Sequence, residues 1–379
     1  MSSYRIPFNK PCLAGKEFEY VFDAIKAGHA SGDGPFTRKC QALLEQELGV
    51  NKALLTTSCT HALEIAALLI DLKPGDEVIL PSFTFVSTAN AFALRGARPV
   101  FADIRRDTLN IDEAHVERLI TPRTKAVVPV HYAGIACQMD VIMKLADRHG
   151  FAVVEDNAHG LLGRFREQKL GTIGHLATLS FHETKNIECG EGGAILINDA
   201  RYIERAEIIR EKGTNRSRFF RGQVDKYTWV DIGSSYVISD MLAAFLFAQL
   251  EARDRIQAQR RRVWTAYWDG LGAWARDRGI GVPHVPADCD QPFHMFYLVM
   301  NNLEQRQALI GHLANRGILA VFHYQPLHLS TMGQRFGGRA GDCPVTEDVA
   351  DRLVRLPLYS DLSDAEIAEV IEAIQSFLP

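Results

Sequence analysis

Short apolar segments alternate with segments of helical periodicity through the first half of the chain. The apolar segments are short and rich in β-branched residues, which is typical of buried strands. They lie at residues 53–56, 78–80, 99–102, 126–130, 152–155, 177–180 and 194–197. Between them, residues 60–70 and 139–149 place apolar side chains at helical spacing. This alternation predicts an α/β fold with a mainly parallel seven-stranded sheet and helices on both of its faces.

The pattern changes after Gly213. Residues 215–226 are rich in Arg, Phe and Gly and predict a loop, and residues 239–271 predict one long helix. Three later segments predict a strand and two helices, at residues 295–299, 305–316 and 365–377 respectively.

These elements suggest two domains. We expect a large domain over residues 1–250, which contains the parallel sheet, and a smaller C-terminal α+β domain over residues 251–379.

Composition excludes several classes of protein. The formal net charge is -4 and the sequence pI is about 6.4, whereas a nucleic-acid-binding protein usually carries a basic excess. The seven cysteines are scattered without a CxxC pair, which suits a reducing compartment. No segment has the apolar length of a signal peptide or of a spanning helix, so we expect a cytoplasmic protein.

Candidate chemistry centres on Lys185, which lies just after a predicted strand and is followed by a glycine-rich turn at residues 190–193. Open α/β sheets bind their ligands at such strand ends. Another buried strand ends at Asp156, and a carboxylate is the usual partner of a protonated pyridine nitrogen. Residues 57–62 lead from a strand into a helix, whose free N–H groups can hold a phosphate. Together they fit pyridoxal 5'-phosphate, with Lys185 as the Schiff-base lysine.

Each of these features also has a structural explanation. A lone lysine in a loop is usually a solvated charge, Asp156 also suits a helix N-cap, and glycines often mark only a tight bend. It is their combination that favours catalysis. No metal site is expected, because the paired spacing of metal-binding helices is absent among His131, His175, His182, His323 and His328. No GxGxxG follows the first strand, which argues against a nicotinamide dehydrogenase.

An ordered set of motifs resembles the DegT/DnrJ/EryC1/StrS family of sugar aminotransferases. The motifs are residues 58–60, 81–85, 155–159, 180–185 and 191–193, and the resemblance extends from Ile6 to Tyr359. It implies a fold-type-I transferase that depends on pyridoxal phosphate. It also implies a homodimer with shared active sites and L-glutamate as the amino donor, which leaves as 2-oxoglutarate.

Several cofactor contacts follow. Three residues at the helix start and before the lysine are expected to converge on the phosphate: Cys59, Thr60 and Ser180. The resemblance implies that His159 contacts the ring hydroxyl and that Phe85 stacks on the pyridine face. Many family members have an Asn that the partner subunit supplies to the phosphate, and this chain has Ser235 there, with a shorter reach.

Substrate contacts are expected in two segments. One contains Arg216, Arg218, Phe220 and Tyr227, which suit stacking on a nucleotide and pairing with its diphosphate, although a plain surface loop is the alternative. The other contains His323, Tyr324 and His328, and it resembles a family stretch near the sugar.

The resemblance is greatest to one branch of the family, at residues 180–186, 211–217 and 233–236. That branch converts dTDP-4-keto-6-deoxy-D-glucose to dTDP-4-amino-4,6-dideoxy-D-galactose for enterobacterial common antigen, a cell-surface polysaccharide. The alternatives are a UDP-4-keto-pentose as substrate or a gluco-configured dTDP-amino sugar as product. A cofactor-binding regulator without catalysis is a further alternative, and Lys185 argues against the dehydratases of the family, which have histidine in its place.

Overall fold

The computed structural model describes residues 4–377. Its strands are β1 Lys52–Thr56, β2 Glu77–Pro81, β3 Arg98–Ala102, β4 Thr124–Val127, β5 Ala152–Asp156, β6 Arg164–Phe165, β7 Gln168–Lys169, β8 Leu176–Ser180, β9 Gly193–Ile197, β10 Cys289–Asp290, β11 Tyr297–Val299, β12 Val321–Phe322 and β13 Leu353–Arg355. Its α-helices are α1 Glu17–Lys26, α2 Pro35–Leu48, α3 Cys59–Leu69, α4 Val86–Ala93, α5 Glu113–Leu119, α6 Met139–His149, α7 Ile203–Arg210, α8 Arg216–Phe220, α9 Asp240–Glu251, α10 Arg253–Arg276, α11 Leu303–Ala314, α12 Thr331–Arg335, α13 Pro344–Arg352 and α14 Asp364–Gln375. Short 3-10 helices cover Tyr132–Gly134, Ala200–Tyr202 and Leu327–Leu329.

The seven predicted strands form one sheet in the order β1, β9, β8, β5, β4, β2, β3. All of its strands run parallel except β9, which is antiparallel to both of its neighbours. The predicted mainly parallel sheet is therefore confirmed. Two smaller sheets have three strands each, in the orders β10, β6, β7 and β11, β13, β12.

Helices cover both faces of the large sheet. Neighbouring residues of a strand point to opposite faces, and here the residues on both faces are apolar. Leu54 of β1 and Ile195 of β9 enter a core that contains α3 and α7. The next residues, Leu55 and Leu196, enter a separate core that contains α2 and α9. This two-sided burial explains why the strands read as continuous apolar runs.

Two local predictions were wrong. The segment predicted as one long helix is two helices, α9 and α10, which meet at Ala252. Helix α9 packs against α1 and α2, whereas α10 packs against α14, so the chain changes direction between them. The predicted loop at residues 215–226 contains the short helix α8.

A further apolar core combines residues from Val263 to Phe377 with Ile6 from the N-terminal segment. We propose that this core belongs to the smaller domain that begins near residue 250. Ile6 joins it because its backbone pairs with Ile318 in an isolated parallel bridge. No helix within residues 4–377 combines the length and the apolar character needed to cross a membrane.

Glu155 fixes the end of β5. Its buried carboxylate accepts hydrogen bonds from the backbone N–H groups of Gly171 (2.9 Å), Ile173 (2.8 Å) and Gly174 (2.6 Å). It also accepts one from Nε2 of buried His131, at 2.9 Å. Nδ1 of His131 accepts from the N–H of Cys137, so the proton must be on Nε2. The loop before β8 is thereby joined to β5.

Replacing Glu155 with Gln is expected to lower the free energy of unfolding by about 3 kcal/mol, because an amide nitrogen then faces buried N–H donors. Urea unfolding measures the change. Glu117→Gln is the matched control, since Glu117 is exposed and its ion pair with Arg148 should contribute no more than about 0.5 kcal/mol. Equal effects in the two variants would contradict the role given to Glu155.

Candidate active site

A cavity of about 490 Å³ opens at the carboxyl ends of β5 and β8. Parallel strands bring their carboxyl ends to the same edge of a sheet, and here Asp156 of β5 pairs with Thr178 of β8. The cavity brings together nine of the predicted site residues: Cys59, Thr60, Phe85, Asp156, His159, Ser180, Lys185, His323 and Tyr324.

Lys185 is held in a closed loop between β8 and β9. The N–H of Phe181 donates to the carbonyl of Gly192, at 2.8 Å, and the N–H of Lys185 donates to the carbonyl of His182, at 2.8 Å. The side chain of Asn9 also donates to the carbonyl of Glu183, at 2.9 Å, which ties the N-terminal segment to the loop. Burial lowers the pKa of Lys185 to about 8, so the neutral, nucleophilic amine is far more abundant near physiological pH than it is in an ordinary lysine.

Asp156 is 5% exposed and faces the same cavity. Thr88 donates its hydroxyl to Oδ2 at 2.8 Å, and the N–H of Ala158 donates to Oδ1 at 3.2 Å. Burial raises the pKa of Asp156, and these two hydrogen bonds oppose that rise. A cationic partner in the cavity would stabilise the ionised carboxylate further, which fits the protonated nitrogen of a pyridine ring.

His159 has a buried ring nitrogen, Nδ1, with no hydrogen-bond partner within residues 4–377. Its ring stacks on that of His294, with centroids 4.4 Å apart and planes 20° apart. Nδ1 of His294 is 2.8 Å from Oδ1 of Asn186. Burial lowers the pKa of both histidines well below the ordinary value, so both rings are neutral. His159 can therefore exchange one hydrogen bond with a polar group of a bound ring.

The N-terminus of α3 lines the same cavity and has the donors that an anion site needs. Ser58 caps the helix by accepting from the N–H of His61, at 3.1 Å. The N–H groups of Cys59 and Thr60 come earlier in the first turn and have no acceptor inside the helix. A Cβ on Gly193 would lie 2.4 Å from the nitrogen of Cys59, so β9 approaches this turn closely only because residue 193 is glycine. These donors fit the phosphate of pyridoxal phosphate.

Aromatic residues form the outer wall. Phe85 precedes α4 and is 58% exposed, and its ring centroid is 6.5 Å from that of Tyr324. His323 is fixed deeper, where its Nδ1 is 3.0 Å from the hydroxyl of buried Tyr132. A ring bound between Asp156 and the helix terminus would thus meet aromatic surface.

Five predicted residues lie elsewhere on this chain, at its surface. Ser235 is exposed and bridges to Glu211 in an isolated antiparallel pair. Arg216 pairs with Glu211 at 3.2 Å and lies over the ring of Phe220, and Arg218 pairs with Glu204 at 3.2 Å. Tyr227 is 52% exposed and Phe220 is 70% exposed. The structure does not bring this set to the cavity of its own chain.

His328 requires a correction. It is fully buried outside the cavity, with Nδ1 2.6 Å from the hydroxyl of Ser82 and Nε2 2.9 Å from Glu347. Because both ring nitrogens are occupied, this residue connects the segment just after β2 to α13, and it has no nitrogen left for the predicted contact with a sugar.

Sequence reasoning missed several cavity residues, namely Thr88, Arg260, His294 and Arg355. Thr88 lies just after the motif at residues 81–85. Its position four residues after Thr84, in Phe-Thr-Phe-Val-Ser-Thr, was the pattern that could have indicated a site residue. The other three come from the C-terminal third of the chain, where no local pattern indicates a site. No group of three or more potential metal ligands is present in the described part of the chain.

Comparisons with known proteins identify similar sequences and similar structures. The model of the DegT/DnrJ/EryC1/StrS aminotransferase family matches residues 11–375. The spore coat polysaccharide biosynthesis protein SpsC of Bacillus subtilis is 32% identical over 381 residues, covering 98% of this chain and 97% of its own. The aminotransferase TlmJ of Streptoalloteichus hindustanus has a TM-score of 0.89 and 31% identity, covering 98% of each chain. Spr1654 of Streptococcus pneumoniae, a proposed sugar aminotransferase solved in its PMP form, has a TM-score of 0.91 and 26% identity, again covering 98% of each chain.

The lowered pKa of Lys185 predicts unusual reactivity of the apoprotein. The neutral amine is the nucleophile, so reductive methylation of Lys185 should rise with pH through about 8, whereas an ordinary lysine follows a pKa of about 10.4. Peptide mass mapping after brief treatment at pH values from about 6.5 to about 10 measures this profile, because the range spans the pKa of Lys185 and ends below that of an ordinary lysine. Exposed Lys144 is the internal reference, and parallel profiles for the two lysines would contradict the assignment.

Proposed function

The chain belongs to the DegT/DnrJ/EryC1/StrS aminotransferase family, and on this basis we propose its reaction. It is a sugar aminotransferase that depends on pyridoxal phosphate and acts on the keto intermediate of a nucleotide sugar. We propose that it transfers the amino group of L-glutamate to C4 of dTDP-4-keto-6-deoxy-D-glucose and forms dTDP-4-amino-4,6-dideoxy-D-galactose. The observation that carries the proposal is the convergence of Lys185, Asp156 and the N-terminus of α3 on one cavity.

Pyridoxal phosphate, when bound, carries the amino group between the two substrates and accepts the electrons released at the donor's α-carbon. Lys185 would hold the cofactor and then move a proton at Nζ, for which a pKa of about 8 is well matched. Asp156 would keep the pyridine nitrogen protonated, while Thr88 holds its carboxylate in position. The first turn of α3, together with Ser180, would bind the phosphate, and His159 would contact the ring hydroxyl.

The dTDP-hexose substrate is supported by the motifs at residues 180–186, 211–217 and 233–236. A role in cell-surface polysaccharide synthesis agrees with the name of SpsC, which is a spore coat polysaccharide protein. Enterobacterial common antigen is the polysaccharide we favour. A UDP-linked 4-keto-pentose is the second candidate, because the Ser-Phe-His start and the Cys before Glu-Gly-Gly also occur in the pentose branch.

We further propose that the active unit is a homodimer. Several large apolar side chains are exposed on this chain, among them Phe18 (74%), Phe220 (70%) and Trp229 (76%). A second copy would cover such surface. It would also allow Ser235 and the set Arg216, Arg218, Phe220 and Tyr227 to reach the partner's cavity, where they would contact the cofactor phosphate and the nucleotide.

The reaction is tested with purified holoenzyme, L-glutamate and dTDP-4-keto-6-deoxy-D-glucose. We expect 2-oxoglutarate and amino sugar in equal amounts, with the galacto configuration at C4 by proton NMR. Lys185→Ala should abolish both products, and Lys144→Ala, on an exposed helix surface, should not. Faster turnover of the UDP-4-keto-pentose would select the second candidate, and no amino sugar from either substrate would contradict the proposal.

Asp156→Asn is expected to lower kcat by about 100-fold or more, because a neutral amide cannot hold the ring nitrogen in its protonated form. Asn is nearly isosteric and can still accept from Thr88, so folding should be retained. Asp269→Asn, on the exposed face of α10, is the matched control. A normal kcat in Asp156→Asn would remove this residue from the mechanism.

A further inference from the structure

Arg355 places a positive charge in the cavity that the described residues do not neutralise. It is the last residue of β13, the central strand of its sheet, and it pairs with Tyr297 on one side and Val321 on the other. Its Nε is buried and has no hydrogen-bond partner within residues 4–377. Burial lowers the pKa of Arg355, and the groups that oppose this shift are the phenols of Tyr132 and Tyr324, not a carboxylate.

The backbone and one face of the guanidinium are held firmly. The ring of Phe8 lies beneath it, with 4.6 Å between the guanidinium carbon and the ring centroid. Phe8 is itself attached to the same region, because its carbonyl accepts from the N–H of Leu358, at 3.3 Å. Stacking of this kind leaves the edge of the guanidinium, which carries its N–H donors, open toward a ligand.

The other arginine of the cavity wall differs in this respect. Arg260 donates from Nε to the carbonyl of Phe293, at 3.2 Å, and from Nη2 to that of His294, at 2.6 Å. Its donors support the backbone that carries His294. Arg355 therefore differs from Arg260, because it lines the same cavity and its Nε has no acceptor among the described residues.

Arg355 is half-buried, and its buried Nε lacks a partner among the described residues, which is unfavourable for a charged group. An incoming anionic group would relieve that cost. Arg355 lines the same cavity as Lys185, His159 and His323. Its charge contributes to the lowered pKa of each of these residues, after burial. An α-amino acid carries a carboxylate on the very carbon that bears the reacting amine. In a nucleotide sugar, by contrast, the hexose ring separates the diphosphate from C4.

We propose that Arg355 binds the carboxylate of the amino donor and thereby aligns its α-carbon with Lys185. This inference rests on the proposed function and adds a residue to its first half-reaction. The planar fork of arginine accepts a carboxylate through two parallel N–H···O bonds, which a lysine does not reproduce. The keto sugar has no negative charge next to C4, so its half-reaction should not need this contact.

The test follows the two half-reactions separately in the holoenzyme. Stopped-flow absorbance measures conversion of the aldehyde form by glutamate, and conversion of the amine form by the keto sugar. Arg355→Gln should raise the concentration of glutamate needed for half-maximal rate by about 10- to 100-fold, the usual loss for a charged hydrogen-bond pair. The keto-sugar half-reaction of this variant should keep the wild-type rate. The glutamate concentration that Arg355→Lys needs for half-maximal rate should lie between those of wild type and Arg355→Gln.

A binding measurement without turnover makes the test independent of activity. Calorimetric titration of the holoenzyme with glutarate, an unreactive dicarboxylate, should show weaker binding in Arg355→Gln than in wild type. Arg276→Gln, an exposed arginine on α10, is the matched control and should bind as wild type does. Arg355→Lys serves for both measurements if the glutamine variant does not fold.

The outcomes separate the two proposals. If wild-type holoenzyme is not converted by glutamate or another amino acid, the proposed function itself fails. If wild type is converted and Arg355→Gln has an unchanged glutamate requirement, only the present inference fails. If Arg355→Gln slowed only the keto-sugar half-reaction, the present inference would be overturned in favour of diphosphate binding. If it slowed both half-reactions equally, Arg355 would have only a structural role.

Discussion

The buried carboxylate of Glu155 is the interaction on which the arrangement of the site depends. Side chains alternate along a strand, so Glu155 and Asp156 point to opposite sides of the sheet. Glu155 joins β5 to the loop before β8 through three backbone N–H groups, and to His131 through a fourth hydrogen bond. With β5 and β8 held in register, Asp156 faces the cavity. Lys185, in the loop after β8, lines the same cavity.

The cavity is electrostatically incomplete without ligands, and this follows from its burial. Burial lowers the pKa of Lys185 and Arg355 and raises that of Asp156, so it disfavours every charged form. In the proposed complex, a protonated pyridine nitrogen would supply a cation to Asp156, and a phosphate would supply an anion to the N-terminus of α3. The same reasoning assigns a carboxylate to Arg355. Ligands of complementary charge therefore bind where the chain alone leaves charge uncompensated.

Much of the fold could be predicted because its signals are local. Each strand of the large sheet is a short apolar run. Asp156 ends one of these strands, and Lys185 lies in the loop that follows another. His294 and Arg355 could not be found in this way, because tertiary packing alone brings the C-terminal third to the cavity. The apolar pattern also continues through Ala252, where the chain turns, so nothing local separates α9 from α10. His328 was misjudged because its partners, Ser82 and Glu347, are distant in sequence.

A transaminase that alternates between two substrates must bind both at one reacting centre, although they differ greatly in size. Lys185 and Arg355 line one cavity, and we propose that the space beside them binds the small amino acid. A nucleotide sugar adds a hexose, a diphosphate, a ribose and a base, and these must extend past Phe85 toward the surface. A cavity of about 490 Å³ would also have to accommodate the cofactor, so a nucleotide would need further contacts outside it. In the proposed scheme, recognition of the donor depends on cavity residues of one chain. Recognition of the nucleotide is assigned to exposed residues such as Arg216 and Tyr227, which would reach a cavity only if a second copy presented them.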